Sequence, residues 1–395
     1  MPVSAQDGAT REQVIESYFQ EGLTYKEILH CLASSHAIVI SLRTLKRIVK
    51  RLKLRRRIPL TEHLAVAAVK GIQKQLGESG QCIGYKAMHR RLQKQGILVG
   101  RNNIRFMLKE VDAQGVADRA RRRLKRRQYV NPGPNFVWHI DGYDKLKPYG
   151  FCIHGAIDGF SRRIIWLQVG VTNNDPKVIM NYYIDAVADL KCIPCVVRSD
   201  HGTENVLVQD LHVGLRSTFN DSFSGQKSFR KGKSSSNQRI ERWWGVLRQQ
   251  CVNFWMNLFK DLISLGVLDN GDPVHINALR FCFMDLIEAD IHRCAREWNQ
   301  HRIQTRKNVE GPSGKPNLLF FTPELVNAQS HGFPPDFDAL NDVKYDLESN
   351  GYIPPQQDPT FVRLVTLLVP DWKIPGTVDE GLKLYGRIID SIRPR

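Results

Sequence analysis

Three acidic side chains, Asp141, Asp200 and Glu241, stand where a folded chain could gather distant carboxylates. Between them lie 58 and 40 residues. Asp141 falls near the end of the apolar run Phe136-Val-Trp-His-Ile-Asp-Gly-Tyr143. Asp200 follows a second apolar run in Arg198-Ser-Asp-His-Gly-Thr-Glu-Asn205, and Glu241 opens Asn237-Gln-Arg-Ile-Glu-Arg-Trp-Trp-Gly-Val-Leu-Arg-Gln-Gln250. Singly, each has a plain structural reading: Asp200 is a turn residue before His-Gly, and Glu241 is a favourable charge near a helix N-terminus. As a set they suggest different chemistry. Clustered carboxylates repel one another unless a cation sits among them, so their convergence would mark a site for a hard divalent ion such as Mg²⁺.

The elements that must position them follow from the apolar patterning. Phe136–Tyr143, Gly150–Ile157 and Arg163–Val169 read as three strands with short joins, hence an antiparallel meander, turning at Asp158-Gly-Phe-Ser161. Pro176–Leu190 reads as a helix with proline at its start, and Ile193–Val197 as a fourth strand. A strand reached through a helical crossover lies parallel to its neighbour, which makes an α/β sheet with Asp141 and Asp200 on strands that could be adjacent. A helix is expected over Asn205–Leu215. Then Ser222–Ser236, rich in Gly, Ser and Lys, has the composition of a mobile loop; it could close over a polyanion or be a solvated insertion. Glu241 falls in the first or second turn of the next helix, beside an inward face of Ile240, Trp244 and Leu247. A long helix is expected over 273–299, with strand-like Phe361–Val369 and helical Val378–Ile392 in the tail.

With His139-Ile-Asp-Gly-Tyr143, Ala156-Ile-Asp-Gly-Phe-Ser-Arg-Arg163, Ser199-Asp-His-Gly-Thr-Glu-Asn205 and Asn237-Gln-Arg-Ile-Glu-Arg242 in hand, the sequence resembles the DDE integrases and transposases with a retroviral-integrase-type core. Its layout is most similar to integrase-core-domain proteins of mobile-element origin in eukaryotic genomes. The resemblance implies an α/β, ribonuclease-H-like core, a mixed five-stranded sheet with helices, preceded by all-α helix-turn-helix modules. It implies a two-metal polynucleotidyl transferase, with Asp141 bridging two Mg²⁺ ions (Mn²⁺ substituting), Asp200 completing one site and Glu241 the other. Substrate contacts are expected from His201, Asn205, Asn237 and Gln238, and phosphate contacts from Lys227, Arg230, Lys231, Lys233 and Arg248. The interval before Glu241 is longer than is usual in the family, an excess the Gly/Ser/Lys loop can absorb. No structural zinc is expected: His30 and His36 have no CxxC following, and Cys192-x2-Cys195 sits in an apolar, strand-like stretch without a partner pair.

The chain of 395 residues carries 57 Lys and Arg against 40 Asp and Glu. Residues 1–130 hold 27 of the basic and 10 of the acidic side chains, and the remainder holds 30 of each, so all of the net +17 lies in the first third. A confined basic excess points to a nucleic-acid-binding module joined to a neutral domain. Thr10–Leu54 reads as three short helices. The third carries Arg43, Lys46, Arg47, Lys50 and Arg51 opposite an apolar face and runs on into Arg55, Arg56 and Arg57, as a recognition helix would. The connection Ala33–Ile40 is longer than the usual turn of that motif. A second three-helix unit follows, its surface basic through Lys86, Arg90, Arg91, Lys94, Arg101, Arg105 and Lys109. The tract containing Arg121, Arg122, Arg123, Lys125, Arg126 and Arg127 could contact DNA, direct the chain to the nucleus, or both.

The expected division is therefore 1–58 and 59–115 as helix-turn-helix modules, 116–130 as a basic linker, 131–260 as the catalytic core, 261–325 as its helical extension, and 326–395 as a region without an assigned role. Eight scattered cysteines fit a reducing intracellular compartment, and no apolar run is long enough to span a membrane. The expected partners are double-stranded DNA and further copies of the chain, in the nucleus. Two other readings share these features: a domesticated DNA-binding protein that keeps the fold without recombination, and a ribonuclease-H-like nuclease that hydrolyses without joining.

Overall fold

Thr10 and Thr24 each close a capping box, with Gln13 and Glu27, and so start helices α1 (Arg11–Gln20) and α2 (Tyr25–His36) where the sequence places them. Ser41 caps α3 (Leu42–Arg51). The computed structural model describes residues 10–78, 80, 83–118, 131–234, 237–304, 311–351 and 356–393. The chain divides into two units, Met1–Leu124 and Lys125–Arg395.

In the first unit, Val14, Ile15, Tyr18 and Phe19 of α1 meet Ile28, Cys31 and Leu32 of α2, with Leu45, Ile48 and Val49 of α3 buried as well. α2 continues one turn further than the sequence suggests. His36 accepts or donates a 2.8 Å hydrogen bond with the Tyr18 hydroxyl, and Ala37 ends the helix in the left-handed region, so the connection to α3 shortens to residues 37–41. The second set is α4 (Glu62–Leu76), α5 (Tyr85–Lys94) and α6 (Arg101–Val111), around Ile72, Met88, Leu92, Ile104 and Leu108, with a short α7 (Ala113–Asp118) after it. The sets are joined through the intervening strap: Ile58 N–H donates to the Leu98 carbonyl at 3.0 Å, and the Gln93 amide to the Arg56 carbonyl at 3.0 Å.

The second unit is built on a sheet of order β3-β2-β1-β4-β5. β1 (Val137–Tyr143), β2 (Cys152–Asp158) and β3 (Ile164–Gly170) form the expected antiparallel meander. α8 (Pro176–Leu190) crosses over to β4 (Val196–Ser199), which pairs parallel with β1. After α9 (Val206–Ser217) the segment expected to be a mobile loop instead supplies β5 (Phe229–Lys231), parallel to β4. Phe229 is buried there, a local anchor that the polar composition of the surrounding stretch obscures.

α10 (Gln238–Leu247), a π-helical turn Arg248–Val252 and α11 (Asn253–Ser264) run continuously into one face of the sheet, followed by the long α12 (Pro273–Gln300). Ile153, Leu167 and Val169 of the sheet share a core with Trp243, Leu247, Phe259, Leu279, Phe283 and Ile287. Each such fully buried side chain contributes roughly 1.5–3 kcal/mol. α13 (Pro316–Phe321) and α14 (Phe337–Ser349) follow, with Leu340 and Leu347 of α14 packing into the opposite core with Val187 of α8.

The tail departs from expectation. Phe361–Val369 is not a strand: α15 (Pro359–Leu368) starts at Asp358, whose carboxylate accepts from the backbone N–H groups of Thr360 and Phe361, with proline in the first turn. The spacing of its buried residues, Phe361 and Val365, is helical, and with Leu384, Tyr385 and Ile388 of α16 (Val378–Ile392) they join the α12 core. A short apolar run carries no period of its own, so packing decides its state. The segments 261–325 and 326–395 therefore share cores with the sheet.

Candidate active site

β1 and β4 pair in register Val137 with Val196, Trp138 with Val197 and His139 with Arg198. Continuing that register by two residues sets Asp141 level with Asp200. Because strand side chains alternate, the two carboxylates emerge on one face, where parallel strands present their C-terminal ends. Glu241 lies in the first turn of α10, which packs on β1 and β2. Topology thus brings to one edge three residues that have 58 and 40 others between them.

Their environments differ. Asp141 is buried, Asp200 half-buried and Glu241 exposed. Burial pushes the Asp141 carboxyl up to about 7 against the stabilising indole N–H of Trp244, and the charges of Glu241, Asp200 and Glu204 push the same way. Burial and Asp200 likewise raise Glu241. Asp200 is oriented by the Gly202 N–H, which donates to its Oδ1 at 3.0 Å. A Cβ on Gly202 would meet the Glu204 carboxylate oxygens at 2.2 and 2.3 Å, so the fourth carboxylate lies over the turn and would have to swing aside for any larger residue there. Glu204 is itself raised, by burial and then by Asp200 and Asp144. Among the described residues, no three His, Cys, Asp or Glu side chains stand close enough to grip one ion as they lie. The donor set nevertheless fits a hard divalent cation. It is made of carboxylate oxygens alone, and their mutual repulsion at a partly buried edge is what such an ion relieves.

α10 is fastened to β1 on both sides of Glu241. Asn237 just before it is buried, accepting from His139 Nδ1 at 2.7 Å and donating through Nδ2 to the Ile140 carbonyl at 2.9 Å. Three residues beyond Glu241, the Trp244 indole N–H donates to Asp141 Oδ2 at 2.8 Å, and its ring stacks on Tyr143 with centroids 4.9 Å apart. A Cβ on Gly155 would meet this ring at 2.9 Å, so the glycine of β2 leaves room for it.

Several sequence expectations for substrate contacts change here. Asn237 and Asn205 are both fully enclosed: Asn237 is engaged with β1, and Asn205 donates to Glu204 at 2.7 Å. Neither is presented to a substrate. Gln238 is half-buried, whereas His201, Lys227, Arg230, Lys231, Lys233 and Arg248 are exposed, four of them on or beside β5. Sequence reasoning missed Glu204 and the polar role of Trp244. The helical period gives Trp244 an inward apolar position, and nothing in that period says that its N–H meets a carboxylate.

The first unit carries a separate basic surface. Arg43, Lys46, Arg47, Lys50, Arg51, Arg55 and Arg57 are exposed, Arg51 pairing with Glu12 at 2.8 Å. Arg56 is turned inward, over the Phe19 ring at 4.3 Å and onto the Leu23 carbonyl, and is removed from that surface. Arg91 is likewise buried against Gln75 at 3.1 Å, while Lys86, Lys94, Arg101, Arg105 and Lys109 are exposed. A cavity of about 560 Å³ lies between Arg57–Leu60 and Gly100–Asn103. Arg121, Arg122, Arg123, Lys125, Arg126 and Arg127 lie outside the described residues.

A mixed five-stranded sheet with two aspartates at neighbouring strand ends and a glutamate on the helix beside them defines a ribonuclease-H-like core of the DDE integrase class. Residues 128–331, just over half of the chain, match the integrase core domain, and the chain belongs to that family. It is therefore an integrase/transposase-type polynucleotidyl transferase by family. No curated protein matches it. No helix among the described residues is long and apolar enough to cross a membrane.

Proposed function

We propose that this chain is a DNA integrase or transposase that binds the ends of a DNA element and carries out phosphodiester cleavage and strand transfer at Asp141, Asp200 and Glu241. The observation that carries the reading is the placement of Asp141 on β1 and of Asp200 just past the end of the parallel β4, beside the Glu241 helix and inside the matched integrase core. The three carboxylates would hold two Mg²⁺ ions, Asp141 serving both and Asp200 and Glu241 one each. When bound, such ions activate water or a 3′-hydroxyl and stabilise the charge at phosphorus. His201 and the exposed cations Lys227, Arg230, Lys231, Lys233 and Arg248 would hold the DNA backbone near the acidic edge. The exposed face of α3 would dock the element end and set its register. Work on two ends would call for more than one copy of the chain, and element DNA in a eukaryotic genome would be its nuclear substrate.

The test is incubation with Mg²⁺ or Mn²⁺, oligonucleotides carrying candidate ends and a supercoiled plasmid. Joined products, lost in Asp141→Asn, are expected. Nicking without joining would identify a nuclease. DNA binding with neither product would identify a domesticated binding protein.

A further inference from the structure

Glu241 stands in an exposed first turn, yet its helix is fastened to β1 immediately before and after it. Before it, the Asn237 amide is used on both sides. Its oxygen faces His139 Nδ1 at 2.7 Å and its nitrogen the Ile140 carbonyl at 2.9 Å, so two consecutive residues of β1, directly before Asp141, hold one side chain. His139 is fully buried, and its Nδ1–H donates to the Asn237 oxygen, which can only accept. The Glu241 N–H donates to the Asn237 carbonyl at 3.2 Å, which carries the register of this anchor into the helix. After it, Trp244 reaches Asp141 Oδ2 directly at 2.8 Å, with Tyr143 and Gly155 fixing the plane of the indole.

We propose that Asn237 and Trp244 are positioning residues forming a two-point clasp, which sets the Glu241 turn against Asp141 before metal or DNA arrives. The inference rests on the triad reading above. Asn237 fixes where α10 begins relative to β1, and Trp244 fixes the rotation of the Asp141 carboxylate by engaging one oxygen. Preorganisation of this kind removes from cation binding the cost of collecting repelling carboxylates, as partners behind metal ligands do in general.

The test uses the full chain and Mn²⁺ as the probe, with free Mn²⁺ followed by electron paramagnetic resonance, alongside strand-transfer kinetics. Trp244→Phe keeps the stacked ring and removes the N–H; Asn237→Ala removes the other anchor. Each is expected to weaken Mn²⁺ binding about tenfold to a hundredfold, and to lower kcat with KM for the DNA end unchanged. Mn²⁺ affinity within twofold of the parent in folded Trp244→Phe, while Asp141→Asn loses it, overturns the clasp and leaves the triad standing. Should Asn237→Ala fail to fold, Trp244→Phe alone decides. Unchanged Mn²⁺ affinity in both Asp141→Asn and Glu241→Gln removes the site itself, and the clasp with it.

Discussion

Asp141 is the carboxylate on which the proposed site turns, because it is the buried member of the set and the one that its neighbours and Trp244 all address. On the proposed function, Asp141→Asn, Asp200→Asn and Glu241→Gln are each expected to lower strand transfer by more than about a hundredfold, since losing a proposed metal ligand would exceed the effect of losing a supporting partner. Full activity in any one of them would remove that residue from the site. Asp158 shows the opposite case, a carboxylate within a family-like motif that is structural. It is fully buried and accepts from the N–H groups of Asn135, Phe160 and Ser161 and from the Ser161 hydroxyl at 2.6–3.2 Å, tying the β2–β3 turn to the start of β1. Asp158→Ala would leave those donors unsatisfied and is expected to cost about 3 kcal/mol or more in chemical denaturation.

At the scale of elements, α15 gives a decisive contrast. A strand over 361–369 would put residues 365 and 367 on one face. In the helix Val365 is fully buried, whereas Leu367 is 80% exposed. Val365→Ala is accordingly expected to destabilise the chain by about 2 kcal/mol and Leu367→Ala by no more than about 0.5 kcal/mol; equal effects would contradict the helix. β5 matters for a related reason. It turns the Gly/Ser/Lys stretch from a free loop into an edge strand beside β4, so Arg230 and Lys231 are placed by backbone pairing next to the strand that delivers Asp200.

For the whole molecule, charge and burial make separate predictions. With the basic excess confined to the first third, replacing Arg43, Lys46, Arg47 and Lys50 together by alanine should reduce the slope of log affinity for DNA against log salt by roughly 3 to 4 units, about 0.9 for each phosphate that is no longer neutralised. An unchanged slope would take α3 off the DNA. Acid stability follows from His139, His154 and His212, each fully buried and held down to about 3 by burial. Below the ordinary histidine value near 6.5 the unfolded chain takes up protons that the folded rings refuse. Stability is therefore fully present above about pH 6.5 and falls at about 1.4 kcal/mol per pH unit for each histidine as pH drops toward 4. Asp141, raised to about 7, and Asp158, Glu204 and Glu241, also raised by burial, work in the opposite direction over part of this range and offset part of the loss. Denaturant titrations at pH 7, 6 and 5 should show the loss; a flat profile would mean that these rings are hydrated.

Caps, periods and crossovers are local or nearly so, which is why the helices starting at Thr10, Thr24, Ser41, Thr61 and Asp175, the meander, and a parallel strand bringing Asp200 near Asp141 could be read from sequence, whereas the register that sets the two level came from the sheet. The positions of the three carboxylates in the fold were legible for the same reason, as each lies near a strand end or a helix start. What depended on packing was not legible. Asn205 and Asn237 look like polar residues available to a substrate until the strands close around them, and Arg56 and Arg91 look like surface cations until an aromatic ring and a glutamine take them inward. The tail's helix and the sharing of cores by residues 261–395 with the sheet depend on partners more than 60 positions away. Sequence alone determined which residues are ionisable, and where most of the strands and helices begin, α15 and β5 apart. Only the tertiary structure decided which of those charges face solvent and which are already held, because burial and hydrogen bonding are properties of the neighbours a fold brings together.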